Sequence, residues 1–216
     1  DEPIDSVLCL GDTVGYGSAP MACLERLWER RAVCIMGNHD AAVAGLLNLD
    51  DFNSVAAEAN RWNGEQLTDD AREYLKGLPQ QLIDPPFLLV HGTPRDPLWD
   101  YLVTYGQAVE AWESTETSDV LVGHSHIQFA CVAGSGIEQA GPEGFNIPLG
   151  HARLVVNPGS VGQPRDKDPR AAYAVYDDES RFIRLHRAWY DISATQRDMA
   201  DVGLPDPLIS RLSFGR

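Results

Sequence analysis

Residues of the kinds that bind metal ions stand close behind four short apolar runs, at 7–10, 33–36, 87–90 and 120–122. They are Asp12 after the first run, Asn38, His39 and Asp40 after the second, His91 after the third, and His124 and His126 after the fourth. Carboxylate, amide oxygen and imidazole together suit Mn²⁺, Fe or Zn²⁺ better than copper(I) or an iron–sulfur cluster. The residue types therefore predict a divalent-metal site.

Taken singly, each residue has an ordinary alternative. Asp12 fits a turn, residues 38–40 fit a turn or a helix cap, and His91 fits a hydrogen-bonded histidine at a strand end. In a strand, the spacing of His124 and His126 places both imidazoles on one side. Four of the six histidines stand at strand exits, which a random scatter would seldom produce, so the combination favours a shared site. The other two are interpreted as structural or surface histidines: His151 and His186.

Alternating strands and helices must position these residues in the first half of the chain. The continuous apolar runs predict strands that are covered on both faces. Helices are predicted over 20–30 and 55–76, the second with a break near 63–64 and a new start that Thr68 caps. Such alternation predicts an α/β layer whose polar sites gather at the carboxyl ends of the strands.

The second half of the sequence indicates β-rich structure. Strands are predicted over 129–132, 152–156, 171–176 and 182–187, with a hairpin turn at 177–180. The tail from 193 onward is predicted to be helical, with interruptions at Gly203, Pro205 and Pro207. The pattern is compatible with two stacked sheets flanked by helices. Because no linker or repeat is visible, we predict a single domain over residues 1–216.

Composition limits the kinds of partner and the cell compartment that we expect for this protein. The 216 residues hold 17 Lys plus Arg against 32 Asp plus Glu, a formal net charge of −15. This charge argues against a nucleic acid or an anionic membrane as the main partner. The four cysteines form no CxxC pair, and Cys9 and Cys34 lie in apolar runs, which predicts buried free thiols. With no signal peptide or membrane-length apolar stretch visible, we expect a cytoplasmic protein.

The motifs at the strand exits resemble those of a known family. Segments 11–12, 37–40, 90–92 and 123–126 resemble the second to fifth motifs of the calcineurin-like metallophosphoesterases, in the family's order. Segments 11–17, 91–94 and 157–165 resemble a bacterial and archaeal branch often labelled phosphodiesterase or diadenosine-tetraphosphatase-like. The resemblance covers nearly the whole chain and implies the family's α/β fold, a four-layer αββα sandwich of two mixed β-sheets flanked by helices.

The resemblance also implies a role for each residue. Asp12 matches the carboxylate that bridges two divalent metal ions. His39 matches the histidine that faces the substrate, and Asp40 the acid that orients it. The remaining ligands are Asn38, His91 and His124 for the second metal, and His126 for the first. The implied activity is hydrolysis of small phosphomonoesters or phosphodiesters at a dinuclear metal centre (Mn²⁺, Fe or Zn²⁺) with a bridging hydroxide as nucleophile.

Two further features concern the substrate. Arg165 has a guanidinium suited to phosphate, although an ordinary surface arginine explains it equally well. The segment 95–112 carries three aromatic residues that either form a rim for a flat leaving group or pack the loop: Trp99, Tyr101 and Tyr105.

One family motif is not in the sequence. The family begins with Asp-x-His, which supplies two ligands to the first metal, and no Asp-x-His occurs in this chain. We expect the domain to lack the family's N-terminal strand and helix, roughly 30 residues. The alternative function is a catalytically weak protein-binding scaffold of the same fold. A nuclease is disfavoured by the acidic charge.

Overall fold

The computed structural model describes residues 4–139 and 146–216, and the chain divides into two compact units. The first unit comprises Asp1–Gln80 and Ser193–Ser210, and the second comprises Gln81–Ile192 and Arg211–Arg216. The single domain expected from the sequence stays a prediction.

The described residues form seven α-helices and eleven strands, numbered here in chain order. The helices are α1 Pro20–Glu29, α2 Asn38–Val43, α3 Ser54–Gln66, α4 Asp69–Lys76, α5 Tyr105–Glu113, α6 Ile192–Asp201 and α7 Asp206–Arg211. The strands are β1 Leu8–Cys9, β2 Val33–Cys34, β3 Gln81–Asp84, β4 Phe87–Val90, β5 Asp119–Leu121, β6 Gln128–Val132, β7 Gly136–Gln139, β8 Asn146–Pro148, β9 Leu154–Pro158, β10 Ala171–Asp177 and β11 Phe182–Ala188.

The first unit is mainly helical around one short parallel strand pair. β1 and β2 pair in the register Leu8 to Val33 and Cys9 to Cys34. The predicted strands are therefore confirmed, although each is shorter than its apolar run. One hydrophobic cluster of this unit is formed by buried side chains of α1, α2, α4 and the loops around them: Val14, Leu24, Val43, Ala44, Leu67, Ala71 and Leu75.

The cysteines of this strand pair are free thiols, and they differ in burial. Cys34 is buried as predicted, whereas Cys9 is only half-buried, so the prediction was wrong for Cys9. A hydrogen bond from Cys9 lowers the pKa of the Cys34 thiol to about 7, while the same contact and burial raise the pKa of Cys9. The Cys9 thiol therefore donates to the Cys34 sulfur, and Cys34 is the thiol of the pair that loses its proton more readily.

The helical segment after residue 54 differs from its prediction at one point. α3 continues through Asn63 and Gly64 to Gln66, so the predicted break is wrong. Asn63 is buried, and its Nδ2 donates to the carbonyls of Ala59 (3.0 Å) and Gly17 (3.2 Å), which anchors the helix instead of ending it. The predicted new start is confirmed, because Oγ1 of Thr68 accepts a hydrogen bond from the Ala71 N–H at 3.2 Å.

Removal of this helix cap has a predictable cost. Thr68→Ala is expected to lower the free energy of unfolding by about 1 kcal/mol, because the first turn of α4 loses its side-chain acceptor. Thr68→Ser keeps the hydroxyl and serves as the matched control. Urea denaturation measures both variants, and equal losses for alanine and serine would show that the hydroxyl does not stabilise the helix.

The second unit is built on a six-stranded mixed sheet in the order β3-β4-β5-β9-β6-β7. β4, β5 and β9 run parallel, while β3, β6 and β7 pair antiparallel with their neighbours. Helix α5 packs its residues Ala108, Ala111 and Trp112 against buried strand residues such as Val90 and Val120. The parallel strands therefore lie in a covered core, as their apolar runs predicted.

A second, three-stranded antiparallel sheet has the order β10-β11-β8. The predicted hairpin at 177–180 connects β10 and β11 and is confirmed. Nε2 of Gln128 in β6 lies within hydrogen-bonding distance of the carbonyls of Pro158 (3.0 Å), Tyr173 (3.2 Å) and His186 (3.1 Å), so one buried amide connects the two sheets. The structure also contains three strands that the sequence analysis did not predict: β3, β7 and β8.

The C-terminal tail is helical, as predicted. α6 ends at Asp201, before Gly203 with its φ of +76°, and α7 begins at Asp206. Among residues 4–139 and 146–216, no helix combines the length and the apolar character that crossing a membrane requires.

Candidate metal centre

In the first unit, the structure brings the residues after β1 and β2 together. The backbone N–H of His39 donates to Oδ1 of Asp12 at 2.9 Å. The backbone of Gly37 lies so close that an added Cβ would stand 2.2 Å from the same oxygen, which requires glycine there. Asp12 has a φ of 53°, a left-handed conformation that is unusual for a residue with a side chain. The loop that carries Asp12 and the loop that leads into α2 at Asn38 are thus in direct contact.

Asp40 fixes these two loops. Its carboxylate is fully buried and accepts hydrogen bonds from the backbone N–H groups of Val14 (3.2 Å) and Gly37 (3.0 Å). A buried carboxylate that accepts two backbone N–H bonds keeps a loop in place, because losing either bond would leave a charge poorly solvated. Its predicted role as the acid that orients His39 stays a prediction.

His39 is buried on α2 and surrounded by groups from three other segments. Its Nδ1 lies 2.8 Å from Oδ1 of Asn60 on α3. The ring of Tyr16 lies 4.0 Å from the imidazole at a tilt of 40°, and the ring of Phe52 meets it at 5.1 Å in an edge arrangement. Sequence reasoning missed Asn60, although two asparagines three residues apart in a predicted helix were an available signal.

In the second unit, His91 follows β4, and His124 and His126 follow β5. All three side chains are buried. The rings of His91 and His124 have centroids 5.0 Å apart, and a ring nitrogen of each lies within 4.8 Å of the other. Two buried imidazoles this close can bind the same cation, since each needs a nitrogen about 2.0–2.1 Å from a zinc-like ion.

The histidines after β5 are oriented by main-chain carbonyls. Nε2 of His124 lies 3.1 Å from the carbonyl of Trp99, and Nδ1 of His126 lies 2.7 Å from the carbonyl of Gln163. A carbonyl only accepts, so each of these nitrogens carries the hydrogen and the opposite ring nitrogen carries the lone pair. Metal-binding histidines characteristically have this arrangement. These donors therefore fit a divalent metal, through Nδ1 of His124 and Nε2 of His126.

The backbone around these histidines is strained and locally supported. His124 and His126 have φ values of 56° and 58°, which cost energy in residues with a side chain. Nδ2 of Asn157 donates to the Gly123 carbonyl (2.6 Å) and to Oγ of Ser125 (3.0 Å), holding the loop in this shape. Asn157 and Gln163 were recognised only as part of the segment 157–165, without individual roles.

The three aromatic residues predicted to form a rim have different surroundings. Tyr101 is 47% exposed and stacks on His124, with ring centroids 4.2 Å apart and an interplanar angle of 30°. Trp99 contributes its carbonyl to the same histidine. The hydroxyl of Tyr105 instead accepts from the Gly134 N–H at 3.0 Å, which is a packing role. Tyr101 is therefore the aromatic residue of this segment that lies against a predicted ligand.

Arg165 lies beside His126 in the second unit. Its backbone N–H donates to the His126 carbonyl at 3.0 Å. Its guanidinium donates through Nε (3.1 Å) and Nη2 (2.8 Å) to Oε1 of Gln163, the residue whose carbonyl orients His126. Arg165 thus supports this loop, and its predicted contact with a phosphate group stays a prediction.

Comparison with known proteins identifies the class to which this fold and these residues belong. Residues 1–181 match the calcineurin-like phosphoesterase superfamily domain. The chain therefore belongs to the calcineurin-like phosphoesterase superfamily, and the family resemblance found in the sequence is confirmed.

Three individual proteins are similar to the chain over almost its whole length. The chain is 36% identical to a metallophosphoesterase from Sphaerobacter thermophilus, whose crystal structure gives a TM-score of 0.90 over 99% of this chain and 89% of that one. It is 31% identical to an uncharacterized protein of Methanocaldococcus jannaschii, over 99% of this chain and 88% of the relative. A hypothetical protein of Pyrococcus horikoshii OT3, 22% identical, shares the fold with a TM-score of 0.78 over 99% and 86% of the two chains. The predicted fold class is confirmed.

Proposed function

We propose that this protein is a metal-dependent phosphoesterase that hydrolyses small phosphate esters. The observation that carries the proposal is the pair of buried histidines His91 and His124, whose ring nitrogens lie within 4.8 Å of each other, with the His124 ring oriented by the Trp99 carbonyl. Family membership supports the same reaction class. A buried imidazole that donates one ring N–H to a carbonyl, beside a second buried imidazole, has the arrangement of metal-binding histidines.

In this proposal Asp12, Asn38, His91 and His124 would hold one metal ion. Asp12 and Nε2 of His126 would hold another ion. The donor set of carboxylate, amide and imidazole suits Mn²⁺, Fe or Zn²⁺, and the proposed centre holds two ions.

A bound metal would neutralise charge on the phosphoryl oxygens and lower the pKa of coordinated water. The chain's own residues supply the proton for the leaving group and hold the loops of the site in place. His39 donates a proton to the departing ester oxygen from the ring held between Tyr16 and Phe52. Asp40 keeps the loops of Asp12 and Asn38 at the spacing that its two backbone hydrogen bonds impose.

The substrate class follows from charge and surface chemistry. A net charge of −15 opposes polyanionic nucleic acids, so we propose a small phosphomonoester or phosphodiester in the cytoplasm. Tyr101, exposed and stacked on His124, offers a flat apolar face to the leaving group. Arg165 is proposed to meet a phosphate oxygen, a contact that suits its planar guanidinium.

An assay with a chromogenic phosphodiester tests this proposal. Purified protein is expected to hydrolyse bis(4-nitrophenyl) phosphate with added Mn²⁺ and to lose this activity with excess EDTA, because the nucleophile depends on the metal. Restoration by Mn²⁺ added after the chelator is the control for unfolding. Failure to hydrolyse any of a panel of phosphomonoesters and phosphodiesters with Mn²⁺, Fe²⁺ or Zn²⁺ would contradict the proposal and favour the scaffold alternative.

A further inference from the structure

We propose that Asn60 is the positioning residue for His39, an inference that rests on the phosphoesterase function proposed above. Asn60 lies on α3, 21 residues beyond His39 in the chain, and is 1% exposed. Both residues belong to the first unit.

The hydrogen bond fixes which ring nitrogen carries a proton. Oδ1 of Asn60 lies 2.8 Å from Nδ1 of His39, and an amide oxygen only accepts. Nδ1 of His39 therefore donates, and Nε2 is the ring atom that can exchange a proton with a substrate. This contact is compatible with the neutral and the protonated ring alike, because Nδ1 keeps its hydrogen in both forms.

The aromatic neighbours cannot set this orientation alone. Tyr16 and Phe52 restrain the plane of the His39 ring from two sides. A ring turned over by 180° would occupy the same plane and keep both contacts, while its two nitrogens would change places with carbon atoms. Only a directional partner distinguishes the two orientations, and Asn60 supplies that direction.

The backbone at Gly15 encloses the hydrogen bond. Gly15 has a φ of +116°, and a Cβ there would stand 2.7 Å from both Oδ1 of Asn60 and Nδ1 of His39. Its N–H donates to Oδ1 of Asn63 at 3.1 Å, so the next turn of α3 holds the covering loop. One face of α3 thus positions both the imidazole, through Asn60, and the loop above it, through Asn63.

The amide nitrogen of Asn60 indicates how substitutions of this residue should behave. Its Nδ2 is buried and has no hydrogen-bond partner among residues 4–139 and 146–216. The contact with His39 is therefore the hydrogen bond that this side chain makes in the described part of the chain. Asn60→Asp keeps an acceptor in the same place, whereas Asn60→Leu has a similar size and no acceptor.

Nuclear magnetic resonance of the metal-free protein tests the positioning directly. Long-range ¹H–¹⁵N correlation spectra are assigned to His39 with the His39→Ala variant. Wild type and Asn60→Asp are expected to carry the proton on Nδ1, and Asn60→Leu is expected to lose this tautomer. Gln66→Leu, an exposed amide change on the same helix, is expected to leave the His39 signals unchanged. Identical His39 spectra in wild type and Asn60→Leu would overturn the proposal.

Kinetics give a second readout that a merely structural role would not produce. Asn60→Leu is expected to lower kcat for a phenyl ester by about 100-fold, the scale of a misplaced catalytic group, with KM unchanged. The loss should be smaller for a 4-nitrophenyl ester, whose leaving group needs less protonation, and Asn60→Asp should recover much of the rate. Equal losses for both esters would contradict a role through His39.

A second variant and the wild-type activity distinguish misfolding and failure of the proposed function from failure of the role proposed for Asn60. If Asn60→Leu fails to fold, Asn60→Ala removes the acceptor without adding bulk and enters the same two measurements. A wild-type protein without phosphoesterase activity would overturn the proposed function, whereas an unchanged His39 tautomer would overturn the role of Asn60.

Discussion

Replacement of His124 by alanine is expected to weaken Mn²⁺ binding by at least about 100-fold, because losing a proposed direct ligand should cost more than the 10–100-fold loss for a supporting partner. Phosphoesterase activity should fall with metal content. The physical reason is the buried position of His124, next to His91 and tied to the Trp99 carbonyl. Isothermal titration with Mn²⁺ and metal analysis of the purified variant measure the effect.

A matched control is available in the same unit. His151→Ala makes the same chemical change at an exposed histidine that the sequence analysis placed outside the site. It is expected to leave metal affinity and activity as in wild type. Retention of full metal affinity in His124→Ala, or an equal loss in both variants, would contradict the assignment of His124 as a ligand.

Replacement of His39 by alanine is expected to lower turnover by at least about 100-fold, the usual scale for a general acid–base group. Metal content should change little, because His39 is proposed to face the substrate and not the metal. The measurement pairs kcat for a phosphodiester with the metal content of the same preparation. This combination separates His39 from the ligands, for which activity and metal are lost together.

Two results would contradict the role proposed for His39. Loss of metal together with activity would show that His39 supports the metal ions, directly or through Asn38 beside it. Unchanged turnover with unchanged metal would show that the imidazole is not needed for leaving-group protonation. His151→Ala serves as the control, because it removes an exposed imidazole outside the candidate site.

Much of the fold could be predicted from the sequence, because buried parallel strands appear as continuous apolar runs. The run 87–90 predicted β4 with its observed bounds, and all four of its residues are buried. β3 was missed because its residues alternate between exposed and half-buried, without an apolar run. β7 and β8 have only four and three residues, and such short strands depend on pairing with a distant partner that a local pattern does not contain.

The break predicted within α3 shows how tertiary contacts override local propensity. Asn63 and Gly64 are poor helix formers, so the sequence indicated a turn. In the structure, Asn63 is buried and bonds to Gly15 and Gly17 as well as to its own helix. These contacts come from residues almost 50 positions away in the chain, so the local pattern could not contain them.

The metal-binding residue types of the candidate site could be predicted from the sequence, whereas the residues that orient His39 and His126 could not. The metal-binding residue types stand directly after apolar runs, and strand ends are where an α/β sheet gathers such residues. Asn60 and Gln163 have ordinary residue types in a helix and a loop, and only folding brings them to His39 and His126. Supporting contacts of this kind have no sequence spacing that would identify them.

The most direct test of the central claim is the anomalous diffraction of a crystal of this protein soaked in Mn²⁺. The proposal predicts an anomalous peak within bonding distance of the four proposed ligands: Asp12, Asn38, His91 and His124. A second peak is predicted beside Asp12 and Nε2 of His126. Peaks confined to surface carboxylates, with the four side chains scattered beyond contact with a common ion, would contradict a shared metal centre and the phosphoesterase function proposed from it.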